Sequence, residues 1–201
     1  MRQLSLLISY IFHPLFVPMA GTVAYFLVTP KYTPLEMQSG NILPVFILTI
    51  IVPIISFFIL RNIGIVSSVF LMSTKERIYP LLISIAILLM IIIKVIPNNY
   101  TAELYYFFIG LLASTGSCLI LLFLSFKTSL HLVGMGSILM FLISLSIHFE
   151  MNIIVAISAF TFFTGLVATA RLYLQAHSRA EILIGLLIGL FSQLLTIKFW
   201  L

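Results

Sequence analysis

The feature that most constrains this chain is a series of long apolar runs joined by short polar connections. Seven runs predict helices over about residues 4–28, 42–60, 79–96, 102–126, 130–147, 153–174 and 182–200. Several of them approach or exceed the roughly 20 apolar residues that a helix needs to cross a bilayer. Backbone polar groups in lipid must bond internally, which favours helix over strand. The predicted fold class is an all-α polytopic transmembrane bundle of six to seven membrane helices, in one integral-membrane domain over residues 1–201.

Composition and charge narrow the class of partner. The chain is 62% hydrophobic and only 7% charged, which is more apolar surface than a soluble core of this size could bury. Its net charge is +5, with five Glu and no Asp, and that balance suits anionic lipids or a phosphorylated substrate. Because no basic run lies outside the predicted helices, nucleic acid is not an expected partner. Cys118 is the single cysteine, so no intrachain disulfide can form.

Prolines and turn residues predict local features of the bundle. His13, Pro14 and Pro18 interrupt the first apolar run, which we interpret as a first membrane span and not as a cleaved signal peptide. Together with Pro44 and Pro53, these two prolines are expected to kink or locally unwind the first two membrane helices. Residues 62–73 are expected to lie at the interface or to re-enter the membrane. His148 and Glu150 are expected to belong to a solvated turn on the face opposite the polar clusters described next.

Three polar clusters follow the second, fourth and sixth apolar runs. They contain Lys75 and Arg77, then Ser129 and His131, and finally residues 171–181. With seven spans, every even-numbered span ends at the same membrane face, so the three clusters are predicted to converge there. Polar residues that are distant in sequence but share one face indicate a single site.

The third cluster contains residue types suited to phosphate chemistry. Arg171 offers a planar fork of donors that matches phosphate oxygens. His177 and Glu181 are four residues apart and would share one face of a helix, where a carboxylate can orient an imidazole nucleophile. Two structural interpretations stay open beside this one. Ser178 and Glu181 fit a helix capping box, and Arg171 could simply anchor a helix end at the interface.

The spacing of this cluster resembles the third motif of the type 2 phosphatidic acid phosphatase (PAP2) superfamily. That family carries Lys-x6-Arg-Pro, then Pro-Ser-Gly-His, then Ser-Arg-x5-His-x3-Asp. Here Arg171-x5-His177-x3-Glu181 reproduces the third spacing, with Ala170 in place of Ser and Glu in place of Asp.

The other two motifs are matched less closely. Ser129-Leu130-His131 resembles the second motif, with Leu130 where the family has Gly. In the first, Lys75 stands two residues before Arg77, and the proline follows three residues later and is not adjacent to the arginine. The resemblance covers about residues 75–190 and implies a PAP2-like core.

The resemblance implies a metal-independent hydrolase of phosphoric monoesters or diphosphates, acting on a lipid phosphate such as phosphatidic acid or on a prenyl diphosphate. His177 would attack phosphorus and form a phosphohistidine, Glu181 would orient it, and His131 would protonate the leaving oxygen. The phosphate-binding residues implied are Arg171, Arg77, Lys75 and Ser129. No cofactor or metal is expected.

Partners and location follow from the same resemblance. The expected partners are a phosphorylated lipid substrate and the surrounding membrane lipids, with no protein partner. The expected location is the bacterial cytoplasmic (inner) membrane, as a multi-pass protein whose site opens to the extracytoplasmic side.

The changed first and second motifs keep other functions open, and the third motif also departs from the family pattern. Leu130 replaces a glycine that would let a backbone amide approach phosphate, and Glu181 is one methylene longer than the family's Asp. The alternatives are a non-catalytic member that binds a phospholipid head group, and a small transporter. An enzyme requires His131, His177, Arg171 and Arg77 around one cavity, whereas a transporter would place polar groups along a pathway near the bilayer midplane.

Overall fold

The computed structural model describes residues 1–67, 74–96 and 100–201, of which Thr74 and Lys75 are described by their backbone alone. Over these ranges the chain forms nine α-helices and no strand. The helices are α1 Arg2–Ile11, α2 Val17–Val28, α3 Leu35–Phe46, α4 Val52–Asn62, α5 Thr74–Met90, α6 Ala102–Phe123, α7 Leu130–His148, α8 Ile154–Tyr173 and α9 Arg179–Ile197.

Seven helical segments of the described chain are long and apolar enough to cross a membrane. Helices α1 and α2 together form the first, over Arg2–Val28, and α3 and α4 form the second, over Leu35–Asn62. The third segment is Glu76–Val95, and α6 to α9 supply one segment each. The prediction of an all-α polytopic bundle is confirmed. The second and third membrane segments begin at Leu35 and Glu76, before the apolar runs that predicted them. A helix can continue through polar residues that lie beyond the apolar layer of the membrane.

Prolines shape the first two membrane segments largely as predicted. Pro14 begins a short 3₁₀ turn that separates α1 from α2. Pro18 lies in the first turn of α2, where a backbone N–H has no hydrogen-bond partner within the helix, so its absence costs nothing. Pro44 and Pro53 flank a π-turn over Ile47–Ile51, which joins α3 to α4. Such π-turns insert a wider ring into the hydrogen-bond ladder and mark irregular points in a helix. The predicted interfacial segment 62–73 lies in part outside the described residues.

Helix α7 lies at the centre of the bundle and packs most closely against α9. Glycines make this approach possible. A Cβ added to Gly189 would lie 2.1 Å from the carbonyl oxygen of Val133, and one added to Gly136 would lie 2.6 Å from that of Leu186. Close backbone packing at small residues is typical of membrane helices. Lipid tails are as apolar as the side chains, so the hydrophobic effect does not hold the helices together and van der Waals packing has to do so. This packing brings the start of α7 beside the start of α9, where the Ser129 N–H donates to the Glu181 carbonyl oxygen at 3.2 Å.

Candidate active site

A cavity of about 270 Å³ opens at the end of the bundle where α7 and α9 begin. Its wall contains Arg77 from α5, His131 from α7, Arg171 from α8 and His177 from the loop before α9. These four residues come from all three of the polar clusters, and the structure brings them around one space. Deeper in the bundle the wall is mainly apolar and includes Leu81, Leu88, Leu111 and Val133.

His177 is held by the first turn of α9. Its Nδ1 lies 2.9 Å from Glu181 Oε2, and the same carboxylate oxygen accepts the Ser178 N–H at 3.0 Å. The Ser178 hydroxyl in turn accepts the Glu181 N–H at 3.3 Å, which completes a capping box. Because a carboxylate only accepts, Nδ1 carries the proton and Nε2 keeps its lone pair in the neutral ring. Glu181 therefore caps α9 and orients His177 at once, so the two interpretations from the sequence are compatible.

The electrostatic surroundings keep this imidazole neutral. The pKa of His177 is lowered to about 4, mainly by burial and also by the charges of Arg77 and Arg171, while the hydrogen bond to Glu181 and its charge partly oppose these effects. At neutral pH the ring is therefore unprotonated. Its side chain is almost wholly buried, with the residue 8% exposed. A neutral, oriented imidazole is the form of histidine that can act as a nucleophile.

Two buried guanidinium groups face the same space. Arg77 and Arg171 are each only 9% exposed. Arg171 Nη1 donates to the Ser9 hydroxyl at 3.3 Å, but in the described part of the chain its Nε has no hydrogen-bond partner and its charge forms no ion pair. A buried cation without a neutralising partner is costly, and an anion in the cavity would offset that cost. The donor set of planar guanidinium groups suits the oxygens of a phosphate.

His131 lines the same cavity and, like Arg171, contacts Ser9. Its Nε2 is 3.0 Å from the carbonyl oxygen of Ser9, which can only accept, so Nε2 carries a proton. Its Nδ1 is then the nitrogen that can gain and release a proton. Leu130, next to His131 in the chain, also lines the cavity.

The structure does not bring the other two predicted phosphate-binding residues, Ser129 and Lys75, to the described wall of the cavity. Ser129 does not line the cavity, and its hydroxyl is buried without a hydrogen-bond partner among the described residues. Its backbone N–H bonds the Glu181 carbonyl oxygen and so joins the start of α7 to the start of α9. The Lys75 side chain lies outside the described residues.

The first membrane segment supplies residues that the motif comparison missed. Ser9 and His13 both line the cavity. Beside it lies a second space of about 540 Å³, which we call the vestibule, with Arg2, Lys127, Arg77 and Arg171 on its wall. Burial lowers the pKa of Lys127, and the neighbouring charge of Arg77 adds to that effect. The signal available for His13 was a histidine beside Pro14 within an apolar run.

A second polar cluster lies at the other end of the bundle, where α6 begins and α7 ends. Glu103, 2% exposed, accepts from the Tyr25 hydroxyl at 3.2 Å and from Lys31 Nζ at 2.6 Å, and it lies 3.1 Å from His148 Nε2. His148 lies at the end of the bundle opposite the cavity, as expected. It does not belong to a solvated turn, because it is the last residue of α7 and contacts this buried carboxylate. Glu150 is exposed, as expected.

No family model, curated protein or solved structure matches this chain. In the part of the chain that the structure describes, no three His, Cys, Asp or Glu side chains are grouped closely enough to hold a metal ion.

Proposed function

We propose that this chain is a membrane-embedded phosphohydrolase that cleaves a lipid phosphate or a prenyl diphosphate through a phosphohistidine. The observation that carries the proposal is a neutral, carboxylate-oriented histidine, His177, that lines one cavity with two buried guanidinium groups, Arg77 and Arg171. The resemblance of residues 171–181 to the third PAP2 motif supports the same chemistry.

Substrate binding depends on charge at one end and apolar contact at the other. Arg77 and Arg171 bind the oxygens of the phosphoryl group, whose charge has to be neutralised throughout the transfer. Arg2 and Lys127 in the vestibule attract the anionic head group from the membrane surface. The apolar wall deeper in the bundle receives the part of the substrate next to the phosphate, and the remainder of the tail stays in the bilayer.

In the first chemical step, His177 Nε2 attacks phosphorus and the bond from phosphorus to the lipid oxygen breaks. Glu181 accepts the Nδ1–H throughout and stabilises the positive charge that develops on the ring. The bound anion favours the protonated form of His131, which gives its Nδ1 proton to the leaving oxygen.

In the second step, a water molecule attacks the phosphohistidine. His131, now neutral, takes a proton from that water at Nδ1. The electron pair of the breaking P–N bond returns to His177 Nε2, and inorganic phosphate is released. Both histidines finish in the protonation states with which they began the cycle.

The test is release of inorganic phosphate by the purified protein from phosphatidic acid, phosphatidylglycerophosphate and undecaprenyl diphosphate. His177→Ala should reduce turnover by several orders of magnitude, because a covalent catalyst is lost. Arg179→Ala is the matched control, since Arg179 is exposed, lies in the same turn and does not line the cavity. It should retain most of the activity.

A labelled substrate extends this test to the intermediate. Brief incubation with a substrate carrying radioactive phosphate should label the wild-type protein with an acid-labile, base-stable phosphoryl group, and His177→Ala should stay unlabelled. Binding of these lipids without phosphate release would contradict the proposal and support the non-catalytic alternative. Equal turnover by wild type and His177→Ala would rule out the covalent mechanism.

A further inference from the structure

His13 lies at the break between α1 and α2, and its backbone is extended there, with φ −66° and ψ 141°. It caps the 3₁₀ turn that follows, because its Nδ1 accepts the Leu15 N–H at 3.3 Å. A nitrogen that accepts an N–H hydrogen bond has no proton of its own, so Nε2 carries the proton of the ring. The local fold of the first membrane segment therefore fixes the tautomer of His13.

The ring of His13 lines the cavity beside that of His131. The two ring centroids are 5.5 Å apart and the ring planes are nearly perpendicular, at 79°. The tautomers are opposite, since His131 donates its Nε2–H to the Ser9 carbonyl oxygen. The two adjacent imidazoles can therefore perform different steps of proton chemistry. His131 has an Nδ1 that can gain and lose a proton, whereas His13 has an Nε2–H that can only donate a hydrogen bond.

The capping bond also restricts His13 to this role. Protonation at Nδ1 would break the bond to the Leu15 N–H, next to Pro14, which has no N–H with which to replace it. The guanidinium of Arg171 lines the same cavity, and in the substrate complex His131 is protonated as well, so a cationic His13 would meet like-charge repulsion from both. A neutral imidazole that donates a hydrogen bond is an effective stabiliser of oxygen anions that form during a reaction, because its dipole is already oriented.

We infer that His13 is a further catalytic residue of the phosphoryl transfer. It donates its Nε2–H to the lipid oxygen as the P–O bond breaks and negative charge collects on that oxygen, while His131 transfers the proton. His13 neither gains nor loses a proton in this step, so the proton balance of the cycle is unchanged. This inference rests on the proposed function and assigns to it a group outside the three motifs.

Two substitutions separate the capping role of His13 from its donor role. In His13→Asn, the amide oxygen takes the place of Nδ1 and is a good cap, but no group replaces Nε2. In His13→Gln, the amide nitrogen reaches the position of Nε2, but the cap is lost. A purely structural His13 would tolerate Asn better than Gln, and a catalytic donor would tolerate Gln better than Asn.

The readout is kcat/KM for a long-chain alkyl phosphate and for p-nitrophenyl phosphate in detergent, together with the thermal unfolding midpoint. The nitrophenolate leaving group is stable as an anion and needs little hydrogen bonding. We expect His13→Asn to lose about 10²-fold on the alkyl ester, as removal of an oxyanion donor does, and less than about threefold on the aryl ester. His13→Gln should stay within about tenfold of wild type on the alkyl ester although its midpoint is lower.

Each outcome bears on one of the two proposals. Equal losses on both esters in His13→Asn, or full activity on the alkyl ester, would overturn the donor role while leaving the phosphohydrolase intact. If His13→Asn does not fold, the ratio of alkyl to aryl activity in His13→Gln and His13→Ala decides. The inference is supported if this ratio is near the wild-type value in His13→Gln and about 10²-fold lower in His13→Ala. It is refuted if the two variants have equal ratios. No hydrolysis of either ester by wild type would overturn the proposed function itself.

Discussion

His177 shows how much of the site depends on the surroundings of a single side chain. A histidine in water is half protonated near its ordinary pKa of 6.5, but burial brings the pKa of His177 to about 4. The imidazole is therefore ready for nucleophilic attack at neutral pH without first losing a proton. The same shift links the protonation of His177 to the stability of the fold.

We expect His177 to stabilise the fold above pH 6.5 and to lose that contribution as the pH falls toward 4. The sign follows because the unfolded chain binds the proton at a higher pH than the folded chain does, so acid favours unfolding. The difference amounts to roughly 3 kcal/mol at most. The measurement compares unfolding midpoints of wild type and His177→Gln in detergent between pH 7.5 and 4. Wild type should lose more stability on acidification, and parallel curves for the two proteins would contradict the assignment.

Glu181 combines two roles that substitution can separate. Ser178→Ala removes the capping hydroxyl and should lower the stability of the fold by about 1 kcal/mol while leaving kcat nearly unchanged, because the bond from His177 to Glu181 remains. Glu181→Gln keeps a side chain that can cap the helix but loses the negative charge that stabilises the ring. It should therefore reduce kcat while destabilising the fold less than Ser178→Ala does. Both variants are measured by thermal unfolding and by phosphate release. A larger loss of kcat in Ser178→Ala than in Glu181→Gln would refute this division.

At the scale of the helices, the site depends on how closely α7 approaches α9. His131 lies at the start of α7 and His177 directly precedes α9, so the distance between the two helices sets the distance between the two rings. Gly185 and Gly189 make that approach possible. A Cβ at Gly185 would come within 3.0 Å of the carbonyl oxygen of Ser129, and one at Gly189 within 3.0 Å of that of Val133. A clash with backbone atoms cannot be relieved by a change of rotamer, so the helices themselves would have to move apart.

We therefore expect Gly189→Ala to destabilise the bundle by about 1–3 kcal/mol, the range typical of overpacking, and to lower turnover as α9 shifts away from α7. Gly165→Ala is the matched control. A Cβ there meets nothing within 4 Å, so the same substitution in α8 should be neutral or slightly stabilising. Unfolding midpoints and phosphate release of the two variants test this. Equal effects at the two glycines would show that the close packing of α7 and α9 is unimportant.

At the scale of the whole molecule, seven spans place the N- and C-termini on opposite sides of a membrane. The positive charge is uneven, with seven Lys/Arg on the face of the cavity (2, 61, 75, 77, 127, 171 and 179) and three on the other (31, 94 and 198). That bias alone would put the cavity in the cytoplasm. Without Lys75, Arg77 and Arg171, which the resemblance assigns to phosphate binding, the count becomes four against three and indicates neither side.

We predict that the cavity opens to the extracytoplasmic side and that Leu201 lies in the cytoplasm, as the family resemblance implies. A reporter active only in the cytoplasm, fused after Leu201, should be active. A reporter active only outside the cytoplasm should be silent at the same junction and active when fused before Met1. The reverse pattern would overturn this orientation.

The sequence by itself determined the features that depend on short separations. Long apolar runs predicted the seven membrane helices, and Pro14, Pro44 and Pro53 predicted the irregular turns. The short spacing of His177 and Glu181 predicted their contact, but not its geometry. His177 lies before the N-cap Ser178, so the two residues do not share a helix face, and the capping carboxylate of Glu181 reaches back to the ring.

Only the tertiary structure decided which distant groups share the cavity. Arg171 meets the Ser9 hydroxyl across 162 residues of sequence, and His131 meets the Ser9 carbonyl oxygen across 122. It also brought His13 into the cavity, left Ser129 outside it, and drew His148 to Glu103 at the other end of the bundle. The physical reason is that membrane helices are apolar both where they face lipid and where they face one another. Hydrophobic periodicity therefore carries little information about which helix faces meet, and close packing at small residues decides it.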